Sequence, residues 1–194
     1  GVVTATISDG DIATLITTSN NDNQDGLNFT NGGAPATNGH KLAINLTEST
    51  VTDVQLKALA TRTAGTVTVS SGTTLTGDFT NSTNLTNLKN ILDDTTITGI
   101  SKVKSTADAT VAQVNEIIDR TTGIVTATIS DNGIALLNNL IGTGNALTVT
   151  LNTASVDAAA LNALNNKTTV AVTVAAQTEI ISGALSDIKA AYDA

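Results

Sequence analysis

The nine residues Gly1-Val-Val-Thr-Ala-Thr-Ile-Ser-Asp9 return with one change as Gly123-Ile-Val-Thr-Ala-Thr-Ile-Ser-Asp131. The segments downstream of each copy recur as well. Lys41-Leu-Ala-Ile-Asn-Leu-Thr47 corresponds to Ala146-Leu-Thr-Val-Thr-Leu-Asn152, and Gly65-Thr-Val-Thr-Val-Ser70 to Val170-Ala-Val-Thr-Val-Ala175. Internal repetition of this kind marks stacked architectures, in which each unit buries its apolar face against the next.

Short segments rich in β-branched residues alternate apolar and polar side chains, the period of a half-buried strand. Their outward centres are Thr6, Asn45, Thr68, Thr98, Thr128, Thr150 and Thr173. Inward positions include Leu42, Ile44 and Leu46; Val67 and Val69; Val125, Ala127 and Ile129; Leu147, Val149 and Leu151; and Val170, Val172 and Val174. Each segment is followed by apolar residues at helical spacing. Examples are Val51, Val54 and Leu59; Val111, Val114, Ile117 and Ile118; Val156, Ala160, Leu161 and Leu164; and Ile181, Leu185 and Ile188. Thr50, Thr106, Ser130 or Asp131, and Ser155 or Asp157 are the expected N-caps.

Asn45 to Thr68 and Thr150 to Thr173 are both 23 residues, too few for a free-standing βαβ crossover and the length of one leucine-rich-repeat-like coil. The expected fold is therefore α/β: a right-handed parallel β/α solenoid of about seven strand-helix units, with one parallel sheet and helices on the opposite side. It forms one domain over 1–194, with a first super-repeat copy at 1–122 and a partial second copy at 123–194. Asn45 and Thr68 recur at Thr150 and Thr173, 105 residues on, whereas Thr6 recurs at Thr128, 122 residues on. The first copy thus carries a 17-residue insertion within Thr18–His40, expected as a surface loop.

Composition narrows the function. With aromatic residues at 2%, the core must be built from Val, Ile, Leu and Ala. A net charge of −8 argues against a nucleic-acid partner, which needs a basic stripe, and against anionic lipid. No apolar run approaches the length of a membrane span, so membrane insertion is not expected. The absence of cysteine excludes disulfides, Cys-type zinc sites and thiol catalysis. There is no Met even at position 1, which leads to the expectation of a processed product or a segment of something longer.

Two constellations carry candidate chemistry. In Asn21-Asp22-Asn23-Gln24-Asp25-Gly26, the oxygens of Asn21, Asn23 and Asp25 alternate ahead of a glycine, like the first half of a calcium loop. They are the candidate calcium ligands. Gly32 stands where such a loop supplies its bidentate carboxylate, and an Asn/Asp/Gly turn accounts for the pattern equally. The second constellation is the outward file Thr68, Thr98, Thr128, Thr150 and Thr173, a candidate interaction face. Regular Thr arrays can match an ice surface, but Asn45, Ala43, Ala171 and Ala175 interrupt this one, and β-propensity alone explains it. His40, the only histidine, has no nucleophile elbow to serve, and carboxylates such as Glu48, Asp53, Asp93, Asp94, Glu116, Asp119, Glu179 and Asp187 are scattered. No enzyme activity is expected.

Gly123–Asp131, Val156-Asp-Ala-Ala-Ala-Leu-Asn-Ala-Leu-Asn-Asn-Lys-Thr-Thr169 and Ile181-Ser-Gly-Ala-Leu-Ser-Asp-Ile-Lys-Ala-Ala-Tyr192 carry a resemblance. They look like the Thr/Ala-rich tandem repeats of giant secreted or cell-surface proteins of marine unicellular cyanobacteria, the group that includes the swimming-motility surface protein. The resemblance implies an extracellular or cell-surface location, a passive structural or adhesive role and calcium in neighbouring segments; it brings no catalytic residues. The leading expectation is a scaffold or spacer module of a surface filament whose partners are neighbouring repeats or identical subunits stacked end to end. The alternative is a calcium-dependent adhesin or phage-fibre binding module that uses the 18–40 loop.

Overall fold

The computed structural model describes residues 4–7, 12–16, 41–176 and 178–193. The chain is α/β with parallel sheets, and it divides into two compact units: Gly1–Gly77 with Thr83–Val103, and Asp78–Ser82 with Lys104–Ala194. This division falls at 103/104, whereas the sequence phrase restarts at 123.

The first unit runs β1 (Thr4–Ile7), α1 (Ile12–Ile16), β2 (Lys41–Leu46), β3 (Thr50–Thr52), α2 (Asp53–Ala60), β4 (Val67–Val69), β5 (Thr74–Gly77), α3 (Ser82–Asp93) and β6 (Ile97–Thr98). β1, β2, β4 and β6 form a parallel sheet in that order. Alternation explains β2, where Leu42, Ile44 and Leu46 are buried and Lys41 and Asn45 exposed. After a short turn the chain makes a second, shorter parallel pair, with Val51 of β3 opposite Leu75 of β5, and then a helix. α2 starts in a capping box: the Thr52 hydroxyl accepts from Gln55 N–H at 3.2 Å, and the Gln55 side chain accepts from Thr52 N–H at 3.0 Å. Leu56 and Leu59 of α2 and Leu88 and Ile91 of α3 are buried with the inward strand residues.

β7 (Lys102–Ser105) lies at the division between the units. The second unit continues with α4 (Val111–Ile118), β8 (Ile124–Thr128), α5 (Ile134–Leu137), β9 (Ala146–Thr148), β10 (Thr150–Leu151), β11 (Ser155–Asp157), α6 (Ala158–Asn165), β12 (Thr173–Val174), β13 (Glu179–Ser182) and α7 (Leu185–Asp193). Its core includes Phe79, Val114, Ile117, Val125, Leu147, Leu151 and Leu164. Pairing is again parallel: β8 with β9, β10 with β12, and β11 with β13.

The recurrence seen in the sequence extends to individual hydrogen bonds. The Thr63 hydroxyl accepts from Leu42 N–H at 3.0 Å and donates to Leu42 C=O at 2.6 Å. Thr168 does the same to Leu147, at 3.0 and 2.7 Å, and both residues lie 105 positions after their counterparts. Ser70 N–H to Leu46 C=O and Ala175 N–H to Leu151 C=O are both 2.9 Å. Thr73 donates to Glu48 C=O as Thr178 does to Thr153 C=O. The segment from β2 to β5 therefore shares these hydrogen bonds with that from β9 to β13.

Several expectations need correction. Instead of one sheet, each repeating unit contributes to two parallel ladders. The second strands escape a pattern reading because β3, β5, β7 and β11 are 3 or 4 residues long, too short to display alternation. Val51 and Val156, expected on helices, sit on β3 and β11, while Val54 is 58% exposed. The caps are Thr52, Thr110 and Gly133 in place of Thr50, Thr106 and Ser130 or Asp131; Asp157 is a cap as expected. Thr6 lies opposite Ala43 and Thr128 opposite Thr148, each two residues from the expected partners Asn45 and Thr150. A two-residue shift keeps every side chain on its face, so burial was right where register was not.

Candidate functional site

All five residues of the Thr file, Thr68, Thr98, Thr128, Thr150 and Thr173, are exposed. The structure brings them together in pairs. Thr68 lies opposite Thr98, whose hydroxyl donates to it at 3.4 Å, and Thr150 lies opposite Thr173. Asn45 continues the first pair, opposite Thr68. These are cross-strand neighbours on solvated faces, a common form of sheet stabilisation. Asn21, Asn23, Asp25 and His40 lie outside the described residues, as does the inserted loop.

The polar interior is built for support. Asp53 and Asn87 are buried, and Asn87 Nδ2 donates to Asp53 Oδ2 at 3.2 Å while Lys57 Nζ donates to Asn87 Oδ1 at 2.6 Å. This joins the first turn of α2 to the middle of α3. Similar bridges link later helices: Asn115 Nδ2 donates to Asn139 C=O at 2.8 Å, and Asn162 Nδ2 to Asp187 C=O at 2.9 Å. Exposed carboxylates organise turns. The Thr80 hydroxyl and N–H, then Asn81 N–H, hold the Asp78 carboxyl below its ordinary value against the opposing effect of burial. Asp157 is lowered chiefly by the Ser182 hydroxyl, 2.8 Å from its Oδ2, and by the N–H groups of Ala160 and Ala159. Among the described residues no three His, Cys, Asp or Glu side chains are grouped to hold a metal, and no helix is long and apolar enough to cross a membrane.

No protein-family model, curated protein or solved structure matches the chain. Its own residues define the site.

The most distinctive surface lies on α6, β12 and α7. Leu161, Asn165, Val172, Val174 and Ala191 line an apolar cleft there. Leu185 is 84% and Tyr192 75% exposed, and α7 has no buried residue among those described. Val170, Val172 and Val174, expected inside, are exposed or half-buried; Val67 and Val69, the counterparts of Val172 and Val174 105 residues earlier, are 1% exposed. The difference is a neighbour. β4 has β2 on one edge and β6 on the other, whereas among the described residues β12 pairs with β10 alone. Sequence reasoning missed this edge because Val170–Val174 alternates as well as any buried strand does. The signal that finds it is the 105-residue equivalence, applied to partners as well as residues.

Proposed function

We propose that the protein is a structural repeat module: a right-handed β/α solenoid of about seven coils that serves as scaffold or spacer in an extracellular or cell-surface filament through end-to-end stacking. The observation that carries this reading is the recurrence of the Thr63–Leu42 backbone clasp as Thr168–Leu147 within equivalent parallel strand pairs. Side chains so spent on joining one coil to the next serve stacking, and stacked repeats are stable through nearest-neighbour interfaces. The apolar residues on α7 and β12 add a surface of the kind that receives a further coil.

The reading fits the sparse charge and the exposed Thr68, Thr98, Thr128, Thr150 and Thr173. Immunogold labelling of intact source cells with antibody against this chain tests it. Label in fibrous arrays outside the cell is the expected result; label confined to the interior overturns the proposal.

A further inference from the structure

We propose that Lys57 and Asn87 join in an intramolecular amide bond, with release of ammonia and with Asp53 as the group that carries the proton. The bond is a covalent staple between α2 and α3, and it stands whether or not the chain stacks end to end.

Asp53 is the first residue of α2 and Lys57 follows one turn later, so both side chains lie on one face of the helix. Asn87 comes from α3, 30 residues after Lys57. Its amide lies between the other two groups. Oδ1 accepts from Lys57 Nζ at 2.6 Å, and Nδ2 donates to Asp53 Oδ2 at 3.2 Å. Asp53 is 2% and Asn87 6% exposed, with Leu56 and Leu88 fully buried beside them in the chain, so the amide sits largely out of water. Lys57 is exposed and its stem reaches in from the surface. Space is kept for the group at Gly77 of β5. A Cβ there would lie 2.8 Å from Leu88 Cδ1 and 3.3 Å from Asp53 Oδ1, crowding both the carboxylate and the residue after Asn87. The repeat does not require the constellation. α6, the counterpart of α2 105 residues on, carries Ala158 and Asn162 where α2 carries Asp53 and Lys57. Burying a carboxylate is costly, and the equivalent helix is built without one.

The amine is the nucleophile and the amide carbon its target. Once the Lys57 ammonium has given one proton to water, the Nζ lone pair attacks Asn87 Cγ, one bond length from the oxygen that Nζ already touches. Asp53 takes a second proton from Nζ as the Nζ–Cγ bond forms, and passes it to Nδ2 as the Cγ–Nδ2 bond breaks. Nδ2 leaves as ammonia and recovers a proton from water. An ammonium and a carboxamide thus become an amide and free ammonium, with no oxidant or cofactor consumed. Holding amine and amide in contact supplies the rate that free amines and amides lack in solution. The product closes a loop and restricts the unfolded chain, as a disulfide would in a protein that had cysteine.

The intact mass of the full chain, held at neutral pH after purification, decides it. The native protein should be lighter than its sequence mass by one ammonia. Trypsin should then spare the bond after Lys57 and release 42–62 joined to 63–89 as one branched peptide. Lys57→Arg keeps the charge but offers no amine, and should hold the full mass. Asp53→Asn keeps the shape, removes the proton carrier and should hold the full mass as well, with a native circular dichroism spectrum. Should Asp53→Asn fail to fold, the native chain and Lys57→Arg still decide. A native chain at full sequence mass that is cut after Lys57 overturns the proposal. Loss of ammonia without the branched peptide also overturns it, because the ammonia then comes from ring closure at another asparagine. A folded Asp53→Asn chain that forms the bond as fast as the native one overturns the role given to Asp53.

Discussion

The Asp131 carboxylate accepts a hydrogen bond of 2.7 Å from the N–H of Val111, the first residue of α4 and 20 positions earlier in the chain. α4 already has its own capping box from Thr110 and Gln113, so Asp131 serves a different donor among those left free in the first turn. The bond ties the end of one repeated phrase to α4, the helix that precedes β8, and the positive end of the helix dipole favours the carboxylate.

Asp131→Ala should therefore destabilise the second unit by about 1–2 kcal/mol, more than an ordinary surface substitution. Asp131→Asn should recover part of the loss, since the amide oxygen still accepts. Urea unfolding of the three proteins measures the difference.

The Thr clasps give a paired test. Thr63→Val keeps the shape and leaves both the N–H and the C=O of Leu42 without this partner, at an expected cost of about 2–3 kcal/mol. Thr168→Val does the same to Leu147, but Thr168 is half-buried and water can reach it, so the loss should be smaller. Equal null effects in denaturant melts would mean that the clasps do not hold these segments together.

Helix α2 separates Val54, expected on its apolar face, from Leu56, which the apolar spacing did not single out. Leu56 is 0% exposed and Val54 58%. Leu56→Ala should cost about 2–5 kcal/mol, and Val54→Ala should stay within about 0.5 kcal/mol of the native protein. Thermal melts of both variants settle the order.

Periodicity predicted strand faces correctly for Leu42, Ile44 and Leu46 and for Leu147, Val149 and Leu151, because alternation over five or six residues has one solution. It failed at Val51 and Val54, because a second strand of 3 residues precedes α2 and moves the helix start past Val51. It failed at Thr128 because the side chains of a two-residue shift are indistinguishable from those of the expected register. The polar bridge from Lys57 through Asn87 to Asp53 was not legible at all: its members are 30 and 34 residues apart, and only the stacking of α3 beside α2 makes them neighbours. The open edge at β12 was hidden for a related reason, since exposure there depends on which strand lies alongside.

Gly99 has φ +83°, and a Cβ there would lie 2.1 Å from the Val69 carbonyl oxygen. Both the left-handed backbone and the close approach require glycine. Gly99→Ala should lower stability by roughly 2 kcal/mol or more, read from the urea midpoint.

Asp78 and Asp157 contribute to the acid response. Both carboxyls are held below the usual value near 3.8, so each contributes stability that is complete above that value and is lost as pH falls through the lower folded-state value. The melting temperature should be level from neutral pH to about pH 5 and fall below about pH 4. Ser182→Ala removes the largest cause of the Asp157 shift and should flatten part of that fall.

The equivalence of the β2–β5 and β9–β13 segments has a genetic consequence. The two segments share the Thr63–Leu42 and Thr168–Leu147 clasps and the Ser70–Leu46 and Ala175–Leu151 bonds, so on the stacked reading proposed above an in-frame duplication of one would add a set of bonds already made elsewhere in the chain. For the spacer proposed above, reach is then a quantity that recombination adjusts in fixed increments.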